Sequence, residues 1–512
     1  MLTCPVPVQI QARNTSPSGR ATPAPRGLRA LTCCLIAFLL SACSGTVDDV
    51  GRADESESAE PRWLAGDHHV HSRFSVGWNR ETDPPEPIVG GDAIYPIAMN
   101  TLMGRHYGLG WMVTTDHGGP GHSRVTREWA YPSLLRSRAV LPDVIQYHGL
   151  ELNSPGGDHA TLIVPYGPDE AEQLFNYEVA YDRNEIWPQD GSRNTTDLMV
   201  TVLTDMSQAA VPPIVIANHP SRSSRGRHDY GLYEPAELRT WNDSAPRVAI
   251  GFAGAPGHQA ITLAPDGSQR ADMPRGGYGA HPTRGGFDPM TAELGGLWDS
   301  LLGEGRRWWI TANSDSHRHY TEQGGDFWPG EYSKTWIHAA PSPGQVFEAL
   351  RGGRVFVSTG DLVNGLSMML TIDGEANEVW PGDTVRVAPS AEISLTVTVT
   401  DPEAPNSAGR TPDLARLDII VGHVEGPAMS RAADVNGSTR VAARFARKDM
   451  LVNGENLTVR SDLTLRGDTY VRLRGTNTGE LEPEPDPMGE GPWDDLWFYS
   501  NPIFIEFGRR EG

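Results

Sequence analysis

A chain of 512 residues with 38% hydrophobic and 21% charged residues has ample material for a folded core, and its length predicts two or three domains. Its 56 Gly and 41 Pro predict many turns and long loops but fall short of a disordered composition. A formal net charge of -22 argues against nucleic acid as a partner, which needs a basic face, and no apolar run reaches the ~18 residues of a membrane-spanning helix.

In chain order the first segment reads as an address. Arg13, Arg20, Arg26 and Arg29 stand with no acid among them, ahead of an apolar run from Leu31 to Leu40 and the small residues Ser41-Ala42-Cys43-Ser44. A basic stretch, a short apolar stretch and small residues form a secretory signal. Leu40-Ser41-Ala42-Cys43 also resembles a bacterial lipobox. That resemblance implies removal of residues 1–42 and lipidation of Cys43. Ser44 resembles the outer-membrane sorting pattern, which implies the bacterial cell envelope, at the periplasmic face of the outer membrane, with membrane contact through the lipid only. All four Cys (4, 33, 34 and 43) lie at or before the cut, so neither a disulfide nor a thiolate ligand is expected beyond it. Residues 43–61 are polar and acidic and read as a flexible tether.

Residues 62–360 mix short apolar runs with helical and loop segments and hold almost all the histidines. Residues 361–512 alternate, as in Ile393-Ser-Leu-Thr-Val-Thr-Val-Thr400, which predicts an antiparallel β-domain of sandwich type. In the first region, four apolar runs end alike. Trp111–Thr115 leads into Asp116-His117, Val144–Leu150 into Glu151, Ile214–Ala217 into Asn218-His219, and Trp308–Ala312 into Asn313-Ser-Asp315-Ser-His317. Apolar runs fit strands covered on both faces, and active-site residues gather at the C-terminal ends of barrel strands. The pattern predicts an α/β fold with these side chains on one rim of a β/α barrel.

The segment Gly66-Asp67-His68-His69-Val70-His71 opens the candidate site. On a strand, His69 and His71 share a face and can bind one ion, and Asp67 can orient or join them; His68 faces away, toward packing or surface. Glu151, His159, His219, Asp315 and His317 follow, each in or beside a strand-like run. Imidazole and carboxylate ligands suit Zn, Mn or Fe, and Glu151 can bridge two divalent ions.

The ordered set His69-Val70-His71, Thr115-Asp116-His117, Gly149-Leu150-Glu151, His159, His219-Pro220 and Ser314-Asp315-Ser316-His317 resembles the PHP (polymerase and histidinol phosphatase) metallohydrolases. The stretches Ala349–Gly360 and Tyr499–Ile503 resemble the carbaryl-hydrolase-like branch of that family. The resemblance spans about residues 66–360 and implies a distorted (β/α)7 barrel, of TIM-like kind. By position it implies one ion on His69, His71, Glu151 and Asp315, a second on Glu151, His159 and His219, and a third, where one exists, on His117 and His317. The chain departs from the pattern at Ser75-Val76-Gly77, where the third site usually takes another His or Asp. Asp83 and His122 are the available substitutes, so two ions are expected and a third is left open.

The expected chemistry is hydrolysis by a metal-bridging hydroxide at a binuclear site, with Glu151 central and His317 or His117 able to protonate the leaving group if unligated. Arg222, Arg225 and Arg227, just past His219, offer cations to an anionic small-molecule substrate and make a phosphoester the first choice. Arg124 is a weaker candidate. The Gly-rich turn Gly251–Gln259 carries His258 toward a substrate pocket. His281, His319 and His338 have no supporting pattern, and Trp308-Trp309 reads as core. The alternative substrates are carboxyl esters, amides or carbamates. A non-catalytic cell-surface binding protein is the alternative of another class. Oligomeric state is not legible.

Overall fold

The computed structural model describes residues 59–508. The expected signal sequence, Cys43 and most of the tether lie outside the described residues. Among the described residues no helix is long and apolar enough to cross a membrane.

The fold is mixed α/β. Nine strands carry its first part: β1 Arg62–Val70, β2 Trp111–His117, β3 Ile145–Asn153, β4 His159–Ile163, β5 Ile214–Ala217, β6 Ala249–Ala255, β7 Trp309–Ala312, β8 Ser333–Ala339 and β9 Val355–Thr359. They stand side by side in one large mixed sheet in the order β9-β8-β1-β2-β3-β4-β5-β6-β7. The pairs β1/β2, β2/β3, β5/β6 and β6/β7 are parallel. Strand β4 runs against both its neighbours. A strict strand–helix repeat therefore fails at β3–β4. Only residues 154–158 separate the two strands, too few for the crossover a parallel pair needs. The reversal matters for the site, because it brings the start of β4 to the rim where β3 ends: Asn153 pairs with His159.

The strands are apolar because helices and loops leave them no wet face. Strands β5 and β6 are buried throughout, and β1 is buried from Leu64 to Val70. Helices Thr196–Ser207 and Pro235–Ser244 place Met199, Val202, Leu203, Leu238 and Trp241 in the same core as Val215, Ile216 and Phe252. Each such side chain contributes about 1.5–3 kcal/mol on burial. Beyond β7 the chain returns to β1. The Asp315 N–H donates to the His69 carbonyl at 3.1 Å and the His71 N–H to the Ser316 carbonyl at 3.1 Å, forming a parallel bridge between Val70 and Ser316.

The C-terminal region holds a separate five-stranded antiparallel sheet in the order Glu375–Val379, Gly365–Ile372, Ile393–Thr400, Asn456–Leu463, Leu451–Asn453. Other strands of the region extend the large sheet. Trp497–Ser500 pairs with β9, and Thr469–Thr476 pairs with Trp497–Ser500 and with Arg416–His423. Sheet hydrogen bonding thus crosses the boundary expected at residue 360. One core joins Leu366, Leu370, Leu395 and Val397 of the five-stranded sheet to Leu417, Leu473, Phe498 and Ile503 of the large one. A buried ion pair, Arg472 with Asp299 at 2.7 Å, ties this region to helix Leu297–Gly303.

Candidate metal centre

Strand alternation sorts the side chains of β1. His69 and His71 reach the cluster, while His68 points away and sits between Thr311 Oγ1 (2.8 Å) and Thr161 Oγ1 (3.3 Å). Burial, aided by the charge of His69, pushes the His68 pKa down to about 3, so it is a neutral core histidine. Asp67 is no ligand. Its carboxylate accepts the backbone N–H groups of His69 (3.0 Å) and Ser314 (3.1 Å) and staples β1 to the segment after β7.

Four buried side chains converge at the centre. His69 Nε2 lies 3.2 Å from both Glu151 Oε1 and Asp315 Oδ1. His71 Nε2 lies 3.3 Å from Glu151 Oε2 and 3.0 Å from Asp315 Oδ1, and the two Nε2 atoms are 3.0 Å apart. Ligands about 2.1 Å from one ion, at tetrahedral to right-angle geometry, sit about 3.0–3.4 Å from each other. The observed spacing fits that set.

Glu151 is also the hub of a second set. His117 Nδ1 lies 2.9 Å from its Oε2, and His159 Nδ1 (3.3 Å) and His219 Nε2 (3.2 Å) lie near its Oε1. Asn218 Nδ2 donates to Oε1 at 3.0 Å. Burial alone would raise the Glu151 pKa, but the charges of His69, His117 and His159 outweigh it and hold the carboxyl well below its usual range. Asp315 behaves alike: burial raises it, and His69 and His258 pull it well down. Asp315 Oδ1 and the Nδ1 atoms of His71, His159 and His219 are buried without a hydrogen-bond partner. Such orphaned polar atoms are costly unless a cation meets them.

A third grouping joins His71, His117 and His317 to Asp92, a residue the sequence reading missed. Asp92 Oδ2 lies 3.6 Å from His317 Nε2 and accepts the Ser75 hydroxyl at 2.6 Å. The two substitutes expected from sequence are elsewhere. Asp83 accepts the Trp187 indole N–H at 2.7 Å. His122 lies 2.6 Å from Glu178 and 2.8 Å from the Phe74 carbonyl. Burial, aided by the charge of His71, holds the His317 pKa down to about 4, and burial lowers that of His117.

The arginine trio divides. Arg222 stays by the cluster, with Nη2 2.8 Å from Asp158 Oδ1, and its charge acts on His219 and His159. Arg227 instead lies 3.7 Å from Asp434 and 3.6 Å from Glu293. Arg225 is exposed, and its guanidinium makes no hydrogen bond or ion pair among the described residues. Of the three arginines expected to offer cations to an anionic substrate, Arg222 is the one whose guanidinium contacts a residue beside the cluster. His258 was expected to meet substrate, yet its Nε2 lies 3.0 Å from Asp315 Oδ2. Arg124 borders an open groove of about 1260 Å³ with Trp129 and Trp187. His281 contacts Ser224 Oγ, His319 meets Glu331, and His338 stacks on Trp380. Trp308 and Trp309 are core.

The backbone is held in costly conformations here. His219 (φ 31°), His258 (φ 58°) and Asp315 (φ 48°) all occupy the left-handed region. Gly257 permits a close approach: a Cβ there would lie 2.1 Å from Asp315 Cβ. No family model matches this chain, and no curated protein matches it.

Proposed function

We propose that this chain is a metal-dependent hydrolase whose favoured substrates are phosphoesters, acting in the bacterial envelope from a lipid on Cys43. The observation that carries the reading is the buried Glu151 carboxylate within 3.3 Å of five imidazoles, those of His69, His71, His117, His159 and His219. His69, His71, Glu151 and Asp315 would hold one divalent ion. Glu151, His159 and His219, with His117, would hold a second. Asp92 and His317 would complete a third with His71 and His117. Ions in such a site supply a nucleophile at neutral pH and neutralise charge on the substrate. The backbone bonds between the end of β1 and Asp315–Ser316 support reading the large sheet as a closed, distorted barrel of the PHP kind.

The chain's own side chains do the rest. Arg222 would bind a substrate oxygen, with Asp158 fixing its guanidinium. Asn218 orients Glu151. A second reading, hydrolysis of carboxyl esters, amides or carbamates, draws support from Arg227, which is committed to Asp434 and Glu293 and leaves the site with one arginine.

Chelator-stripped protein, reloaded with Zn, Mn or Fe, would be assayed on p-nitrophenyl phosphate, bis-p-nitrophenyl phosphate and p-nitrophenyl acetate. Metal-dependent cleavage of a phosphoester is the expected result. Cleavage of the acetate alone would reverse the order of the two readings, and metal-independent behaviour throughout would end both.

A further inference from the structure

The Asp315 carboxylate has two faces. Oδ1 meets His69 and His71, at 3.2 and 3.0 Å. Oδ2 lies 3.0 Å from His258 Nε2. The other nitrogen of His258, Nδ1, lies 2.5 Å from Asp326 Oδ1. Both contacts end on carboxylate oxygens, so the His258 ring spans the gap between Asp315 and Asp326. Asp326 is itself fixed: its Oδ2 accepts the backbone N–H groups of His317 (2.7 Å) and Arg318 (3.0 Å), and it is buried.

His258, His317 and Asp326 also come within reach of a common ion. The 2.5 Å between His258 and Asp326 decides against that use. It is a hydrogen-bond length, whereas two ligands of one ion stand about 3.0–3.4 Å apart. The turn is built to make the contact. Gly257 leaves room for it to lie on Ser314 and Asp315, and His258 is held at φ 58°.

We infer that Asp326 and His258 form an outer hydrogen-bonded chain that fixes the Asp315 carboxylate toward the first ion, making both positioning residues rather than substrate contacts. The inference rests on the metal reading above. Outer partners of metal ligands set ligand orientation, and their loss costs about 10–100-fold in metal affinity.

The test is a Mn²⁺ titration of the chelator-stripped full chain, followed by electron paramagnetic resonance, with His258→Ala, His258→Gln and Asp326→Asn beside the wild type. The Gln amide can place a donor where Nε2 stands, and Ala cannot. His258→Ala and Asp326→Asn should weaken Mn²⁺ at the tightest site by about 10–100-fold, while His258→Gln should recover most of the loss. His258→Ala binding as tightly as wild type, or His258→Gln no better than His258→Ala, would overturn the chain. Wild-type protein that binds no Mn²⁺, Zn²⁺ or Fe²⁺ would instead overturn the metal reading, and this inference with it.

Discussion

The Ser75 hydroxyl donates to Asp92 Oδ2 at 2.6 Å and so stations a carboxylate 3.6 Å from His317. Ser75 occupies the stretch where the sequence pattern lacked a ligand. The serine does not replace the missing side chain; it holds a carboxylate brought from elsewhere. Asp92→Ala should lower bound metal at the outer grouping, leaving the inner ions in place. Ser75→Ala should weaken the same ion by about tenfold. Metal counting by inductively coupled plasma mass spectrometry checks both, and unchanged stoichiometry in Asp92→Ala would remove Asp92 from the ligand set.

Glu151→Gln keeps the shape of the side chain and removes the charge that five imidazoles share. Metal content should fall for both inner ions, and hydrolysis should drop by at least about a thousandfold, in line with losing a nucleophile-generating ion. Full metal content with full turnover would show that Glu151 is not the hub.

The arginines give a split prediction. Arg222→Ala should raise KM for a phosphoester by about tenfold or more, the scale of a lost charge-assisted contact. Arg225→Ala and Arg227→Ala should leave KM within about twofold, because Arg225 is exposed and the Arg227 guanidinium is drawn to Asp434 and Glu293. Equal effects from all three would return Arg225 and Arg227 to the substrate contacts.

A pH dependence follows from His122. Burial lowers its pKa, but the charge and hydrogen bond of Glu178 outweigh that and carry it up to about 9. A group raised from about 6.5 on folding stabilises fully below pH 6.5, and the benefit disappears as pH climbs through 9. His122→Gln should therefore be less stable than wild type at pH 6 by on the order of 2–3 kcal/mol, with the gap closing toward pH 9.5. Thermal unfolding of both proteins across that range measures it; a gap independent of pH would show that the ion pair is not the cause.

Gly257→Ala tests close packing. The added Cβ would fall 2.1 Å from Asp315 Cβ, so the turn must shift. A loss of about 1–3 kcal/mol is expected, accompanied by weaker metal binding, since the displaced neighbour is a proposed ligand. Unaltered unfolding and metal content would mean the turn relaxes freely.

Much of the centre was legible because strands impose a period of two and end on one rim. His69 and His71 were paired by that period, and Glu151, His219 and Asp315 by their place after apolar runs. Asp92 was not legible. It lies on a loop, and what brings it home is backbone pairing of Gly90 with Arg73 and of Ala93 with Ser75. Arg227 misled for the opposite reason. It is close in sequence to His219, but its guanidinium is drawn to Asp434, some two hundred positions later. His258 was placed on its turn without its partner, since Asp326 lies 68 residues away and carries no strand pattern. The reversed β4 was not legible, because the apolar runs read as strands did not include His159–Ile163.

The pairing of β9 with Trp497–Ser500 has a practical outcome for anyone dissecting the molecule. A fragment stopped at residue 360 would present β9 as a bare edge, ready to recruit other chains, and would strip Arg472 from the buried Asp299. Such a fragment should precipitate, so the last strands are as much scaffold for the His, Glu and Asp cluster as the first.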